Sequence, residues 1–299
     1  MAPQLKVIQL RSSLVKRGIV ITPDYKITNN GYGLQINGGV EAVNLRKYLL
    51  FWDIIDYPVN NMIHISGGQD IDFLVSEGIA KTSEIRFQKM EAHENGLLFL
   101  ASQMVAFEQN NSNEEEEWSI AQPSESLIIP NTYAKRQGCL NFELYNAIYI
   151  PTADIPLQDV YDFKKRREAE LLSLRDSMDS ITDQILAAQD IPKRKNKALN
   201  KLHRDLNDFN RVMKETKFQK VKRSLTAIAT DPWFGVAGAG ALVKDYLPVN
   251  YQPYVQGLNV AALGACAVKF AYQELSVGRS IPTEFKHFAY LSSIQKELV

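Results

Sequence analysis

The sequence predicts an α+β protein. A mixed α/β domain covers residues 1–155, an antiparallel helical hairpin 156–225, and an apolar helical C-terminal region 226–299 packs on the rest. Three observations carry this reading. Short β-branched runs alternate with helical patterns through the first half. Two successive apolar seams at heptad spacing follow. After them, residues 246–268 contain no charged side chain and are rich in glycine and alanine.

In the first half, Arg17-Gly-Ile-Val-Ile-Thr-Pro23 is a β-branched run closed by proline and reads as a strand. A helix is expected from Val43 to Tyr57, with Leu45, Leu49, Trp52 and Ile55 or Asp56 at helical spacing ahead of Pro58. Met62-Ile-His-Ile65 is a short strand candidate, stopped by Ser66-Gly67-Gly68. A helix starting at Asp70 should end at Gly78, a residue that adopts the left-handed conformation without strain. Ser83 to Phe87 looks extended, and Gly96 to Phe107 reads as a buried helix, too short to span a membrane. Glu114 to Glu117 read as the first turn of a helix, capped by Asn113 and favoured by the helix dipole. Ser126–Pro130 and Asn141–Pro151 read as strands.

In the second half, Leu171, Leu174, Met178, Ile181 and Ile185 are spaced 3, 4, 3 and 4, and Leu199, Leu202, Leu206, Phe209 and Met213 repeat that spacing. Asp190-Ile-Pro192 separates them, so two antiparallel helices over 158–189 and 193–224 are expected, with the proline near the turn, where a missing amide hydrogen costs nothing. Gly257, Ala261 and Ala265 recur at four-residue spacing, which lets helix backbones approach closely. Phe234–Val243 and Val255–Tyr272 are therefore read as packed helices, since Lys244 and Asp245 interrupt the apolar stretches, and the amides and prolines of residues 246–259 dilute the second below membrane-span length.

Overall, 34 Lys and Arg balance 34 Asp and Glu, and a mean hydropathy of −0.22 describes a soluble globular chain. The balance hides an asymmetry, because residues 191–223 hold 12 basic and 3 acidic side chains. Lys193, Arg194, Lys195, Lys197, Lys201, Arg204, Arg211, Lys214, Lys217, Lys220, Lys222 and Arg223 are the candidate nucleic-acid contacts of the chain. An antiparallel hairpin would also lay this arm beside the more acidic 156–190 arm, so pairing within the chain is the simpler use of the charge. Cys139 and Cys266 cannot build a disulfide framework and suit a reducing compartment. Residues 1–13 lack the apolar core of a signal peptide, and a cytoplasmic location is expected.

Catalytic motifs are not recognised. Ser66-Gly67-Gly68-Gln69 has the form of a phosphate-binding turn, but the sequence has no phosphate-binding loop, and Asp70 and Asp72 would repel an anion. Gly235, Gly238 and Gly240 follow no strand. Asp72, Glu84 and Lys89 are too irregularly spaced for a carboxylate–lysine nuclease. His64 sits in an apolar run, where core histidines are common. No cofactor or metal is expected, and the reading leans away from an enzyme.

Three stretches carry a resemblance: Arg17-Gly-Ile-Val-Ile-Thr-Pro23; Tyr48-Leu-Leu-Phe-Trp-Asp53 with Asp56-Tyr-Pro58; and Ile155-Pro-Leu-Gln-Asp-Val-Tyr-Asp-Phe-Lys-Lys-Arg-Arg167. Together they resemble a diffuse family of uncharacterised bacterial proteins, some encoded near phage-defence genes. That resemblance implies a bacterial cytoplasmic protein with a role in defence, and no active-site residues to transfer. The expected function is a non-enzymatic interaction or assembly component with a protein partner or a second copy of itself. The alternatives are nucleic-acid binding by the basic arm and membrane perturbation by the C-terminal apolar segments.

Overall fold

The β-branched run after Lys16 forms β1 (Lys16–Val20), with Ile19, Val20 and the following Ile21 buried as a central strand demands. The computed structural model describes residues 15–28, 33–88, 95–113, 115–122, 126–130, 137–146, 148, 154–213, 263–267, 281 and 283–298. A hairpin of β2 (Tyr25–Thr28) and β3 (Gly33–Ile36) precedes α1 (Ala42–Phe51). The expected helix to Tyr57 stops early. Trp52 is extended, and Ile54–Asp56 becomes β4, pairing in parallel with β1. From Tyr48 to Trp52 every side chain is buried, so the segment has no polar face to mark where the helical period gives way to the strand.

Met62–Ile65 is irregular. The strand here is the preceding β5 (Val59–Asn60), and Asn60 turns the chain by accepting the amides of Met62 and Ile63 on its side-chain oxygen. The helix α2 (Gln69–Ser76) ends at Gly78, which has φ +69° as expected. β6 (Ala80–Lys81) joins β4 in parallel, and β7 (Glu84–Ile85) pairs with β5. The buried helix is present as α3 (Asn95–Asn111).

Glu116 and Glu117 are not in a helix. They open β8 (Glu116–Ile120), where Lys16 and Arg17 of β1 stand opposite them, and this cross-strand charge pairing outweighs the helix-dipole argument. Asn113 does cap, but it caps a turn, accepting the amide of Glu115. β9 (Ser126–Pro130) is a strand, as read. The expected strand over Asn141–Pro151 is instead preceded and overlapped by the helix α4 (Gln137–Asn146). Seven of its consecutive residues, Cys139–Tyr145, are buried, with Asn141 and Glu143 engaged by partners on other elements, so the helix has no exposed stripe for a pattern to reveal.

The first hairpin arm divides at Arg167 into α5 (Leu157–Arg166) and α6 (Glu168–Leu186). The second arm is α7 (Ile191–Met213), with Pro192 in its first turn and the Asp190 carboxylate capping the amide of Lys193. Leu171, Leu174, Met178 and Ile185 on α6 are buried, Ile181 is half-buried, and Leu199, Leu202, Leu206 and Phe209 on α7 are buried. Most of these residues belong to the same core as Ile19, Leu49 and Trp118, so the arms lie against the body.

Residues 263–267 form β10 (Leu263–Ala267), antiparallel to β9, so Val255–Tyr272 is not one continuous helix. Its small residues serve a close strand pairing as readily as a helix contact. Phe234–Val243 and Gly235, Gly238 and Gly240 lie outside the described residues. A 3-10 turn over Thr283–Phe288 leads into α8 (Ala289–Glu297), where the Tyr290 hydroxyl donates to the Leu50 carbonyl at 2.9 Å.

The main sheet runs β6-β4-β1-β8, all parallel. Strand order reverses between β1 and β8, the place where open α/β sheets usually bind ligands, outside the carboxyl ends of the strands. Here Gln103 of α3 fills that crevice. Its amide nitrogen donates to the carbonyls of Val20 (3.0 Å) and Ala121 (2.6 Å), and its oxygen accepts from Gln122 at 2.9 Å. The molecule is an α+β protein whose open cleft lies at the other end of the same strands.

Candidate functional site

At the amino ends of β1 and β4, charge is concentrated inside the fold. The Asp53 carboxylate accepts from the Arg17 backbone amide (3.0 Å), from both terminal nitrogens of Arg175 (3.0 and 2.9 Å) and pairs with Lys164 Nζ at 3.1 Å. Burial works against the Asp53 charge, but Lys164 and Arg175 overcome it and hold the carboxyl well below its usual range. Burial lowers the Lys164 ammonium to about 8 despite Asp53; it donates as well to the Trp52 carbonyl. The Arg17 guanidinium donates to Tyr145 Oη at 3.3 Å and to Asp179, with Glu117 at 3.9 Å. This network joins the sheet to α4, α5 and α6.

A cleft of about 230 Å³ opens beside it, between β8, α3 and the start of α4. Gly138 lets α4 in, since a Cβ there would sit 2.0 Å from the Trp118 carbonyl oxygen. Arg17, Tyr145, Ser119 and Asn141 form its polar inner wall, Trp52, Phe107 and Trp118 its apolar wall, and Glu116 and Glu117 are partly exposed. Trp118 Nε1 donates to Glu116 at 2.8 Å. Burial raises Tyr145 to about 12, which keeps its hydroxyl protonated as a donor. Burial also raises the Glu117 carboxyl, with Arg17 opposing.

The basic candidates are divided by the helix they share. Lys193, Lys197 and Arg204 are exposed on one side of α7 and with Asn196, Asn200, His203 and Asn207 line a 620 Å³ surface groove, which has no carboxylate among the described residues. Lys195 points the other way, buried against Glu143 of α4 at 2.9 Å. Arg194 donates to Gln184 of α6 at 2.8 Å, and Lys201 pairs with Asp205 at 2.6 Å. Arg211 is on α7, while Lys214, Lys217, Lys220, Lys222 and Arg223 lie outside the described residues.

Other candidates take ordinary roles. Gly68 has φ +81° in the turn before α2, Ser66 Oγ accepts its amide, and Asp70 pairs with Arg46 at 3.4 Å. Asp72 is exposed, Glu84 pairs with Arg86 at 3.6 Å, and Lys89 lies outside the described residues. His64 is exposed rather than in the core. Among the described residues no His, Cys, Asp and Glu group is arranged to hold a metal ion, and no helix is long and apolar enough to cross a membrane.

Sequence reasoning overlooked Arg17, Asp53, Lys164 and Arg175. The available signal was a charge inside an apolar run: Arg17 before Gly-Ile-Val-Ile and Asp53 after Leu-Leu-Phe-Trp. A charge in such a setting needs a partner.

The fold and its polar centre define an α+β protein with a short parallel sheet, helices packed around it and no recognised catalytic constellation among the described residues. The chain belongs to the family of unknown function DUF6236, whose model matches residues 30–299. No curated protein and no solved structure matches it.

Proposed function

We propose that the protein is a non-enzymatic interaction component of a bacterial, cytoplasmic assembly serving anti-phage defence, and that it docks a protein partner of acidic surface through the outer side of α7. The observation that carries the docking role is the division of charge on that helix. Lys195 is consumed inside the fold, whereas Lys193, Lys197 and Arg204 face outward in a groove that has no carboxylate among the described residues. The bacterial and defence context rests on the resemblance of the three sequence stretches given above.

The test is a triple reversal, Lys193→Glu, Lys197→Glu and Arg204→Glu, compared with wild type by light scattering and by retrieval from native lysate. A partner held by wild type and lost by the variant supports the reading. A strictly monomeric wild type that retrieves nothing counts against it.

A second reading, nucleic-acid binding, is favoured by the Asn196 and Asn200 amides beside those cations, since amides contact phosphate and sugar without reading sequence. With three phosphates engaged, the log–log slope of affinity against salt should be about −3 on duplex DNA, and the triple reversal should abolish binding. Absence of binding at low ionic strength removes this reading.

A further inference from the structure

The cleft between β8, α3 and α4 has the features of a built ligand site, and its charges are laid out in order. At its inner end, three side chains more than nine-tenths buried have hydrogen-bonding capacity to spare. Tyr145 Oη accepts from Arg17, yet its own O–H has no acceptor among the described residues. Asn141 accepts from Thr182 at 2.7 Å on its oxygen, while its amide nitrogen has no acceptor among the described residues. The Ser119 hydroxyl has no partner there either. These atoms open onto the cleft, where a polar ligand would engage the capacity they have left. Arg17 adds a positive charge with N–H groups beyond those given to Tyr145 and Asp179. At the outer end the sign changes. Glu117 stands 3.9 Å from Arg17, beyond a hydrogen bond, and Glu116 is engaged by a neutral indole.

We propose that this cleft binds a small zwitterion of the α-amino-acid class, with its carboxylate on Arg17, Tyr145 and Asn141 and its ammonium on Glu117. A ligand whose two charges share one carbon would exchange the loose Arg17–Glu117 pair for two closer ones, each charge meeting its opposite. The volume of 230 Å³ sets the size. That is below the roughly 300–1,000 Å³ of sites for drug-sized ligands and suits a small molecule with one aliphatic side chain. Trp52, Phe107 and Trp118 supply the apolar wall for that side chain.

The experiment is calorimetric titration of the full chain with the standard L-amino acids. It is followed by the two leucine analogues that each lack one charge, 3-methylbutylamine and 4-methylpentanoate. Saturable binding of an aliphatic L-amino acid is expected, with both analogues about tenfold weaker or worse, the usual worth of one charge-assisted hydrogen bond. Glu117→Gln, at a partly exposed position, should weaken the amino acid by a similar factor and leave 4-methylpentanoate unchanged. The idea is overturned if no amino acid binds at millimolar concentration, if either analogue binds as tightly as leucine, or if Glu117→Gln binds like wild type. Should that variant fail to fold, the analogue series on wild type still decides.

Discussion

Asp53 accepts one backbone amide and meets two buried cations, and its removal would leave Lys164 and Arg175 inside the fold without their counter-charge. Breaking such a group costs far more than the intact pair contributes, typically about 3–5 kcal/mol. Asp53→Ala should therefore lower the urea-unfolding free energy by that amount. Lys201→Ala, which removes one member of a surface pair, should change it by less than about 1 kcal/mol. Equal effects of the two substitutions would show that the buried network contributes no more than a surface pair. Arg17, Asp53 and Lys164 each fall in one of the three stretches that carry the family resemblance. Those stretches thus display three of the network's members, and Arg175 lies outside them. Their convergence depends on parallel β1–β4 pairing and on the return of α5 across the sheet, neither of which has a local signature.

The elements with one wet face were legible, and α4, buried on nearly every side, was misread. The α6 and α7 seams were visible because charged residues fill the helical positions between the leucines. α4 looked like an alternating strand because Asn141 and Glu143 are inward-facing polar residues with partners on α6 and α7. β8 looked like a helix start because the opposing charges come from a strand a hundred residues earlier. The division of labour within the hairpin follows from packing. Leu174 sits in the core shared with the sheet, and Leu206 on α7, the outer arm. An aspartate at either position buries an unpaired charge, at a cost of several kcal/mol. Leu174→Asp should abolish cooperative unfolding. Leu206→Asp should speed amide exchange along α7 while β1 stays protected. Unchanged exchange in α7 would mean that its seam does not hold the arm down.

Across the whole molecule, buried ionisable groups set an unusual dependence of stability on pH. Burial lowers the ammonium groups of Lys47 and Lys164 to about 8, from 10.5 when exposed. Below pH 8 both are charged in the folded and the unfolded chain, and the folded state bears the full cost of burying them. As pH rises from about 8 to 10.5 the folded protein sheds these protons while the unfolded chain keeps them, so stability rises with pH over that window. The tyrosines then reverse the trend. Burial raises Tyr57 and Tyr145 to about 12, so above pH 10 the unfolded chain ionises first and stability falls. Carboxylates act in opposite senses at acid pH. Asp53, held low, loses its contribution as pH drops through its depressed value. Asp56, Glu143 and Asp179, raised by burial, favour the folded state as pH falls. The expected profile has its maximum near pH 9–10, with a rise from neutrality on the order of a few kcal/mol. Urea melts between pH 7 and 11 measure it. Lys47→Met, which replaces a buried ammonium with an apolar chain of similar length, should raise stability at pH 7 and flatten the climb. A stability that is level or declining from pH 7 to 9.5 would mean that these lysines retain their ordinary proton affinity in the folded protein, through water reaching them or through counter-charges stronger than Glu41 and Asp53.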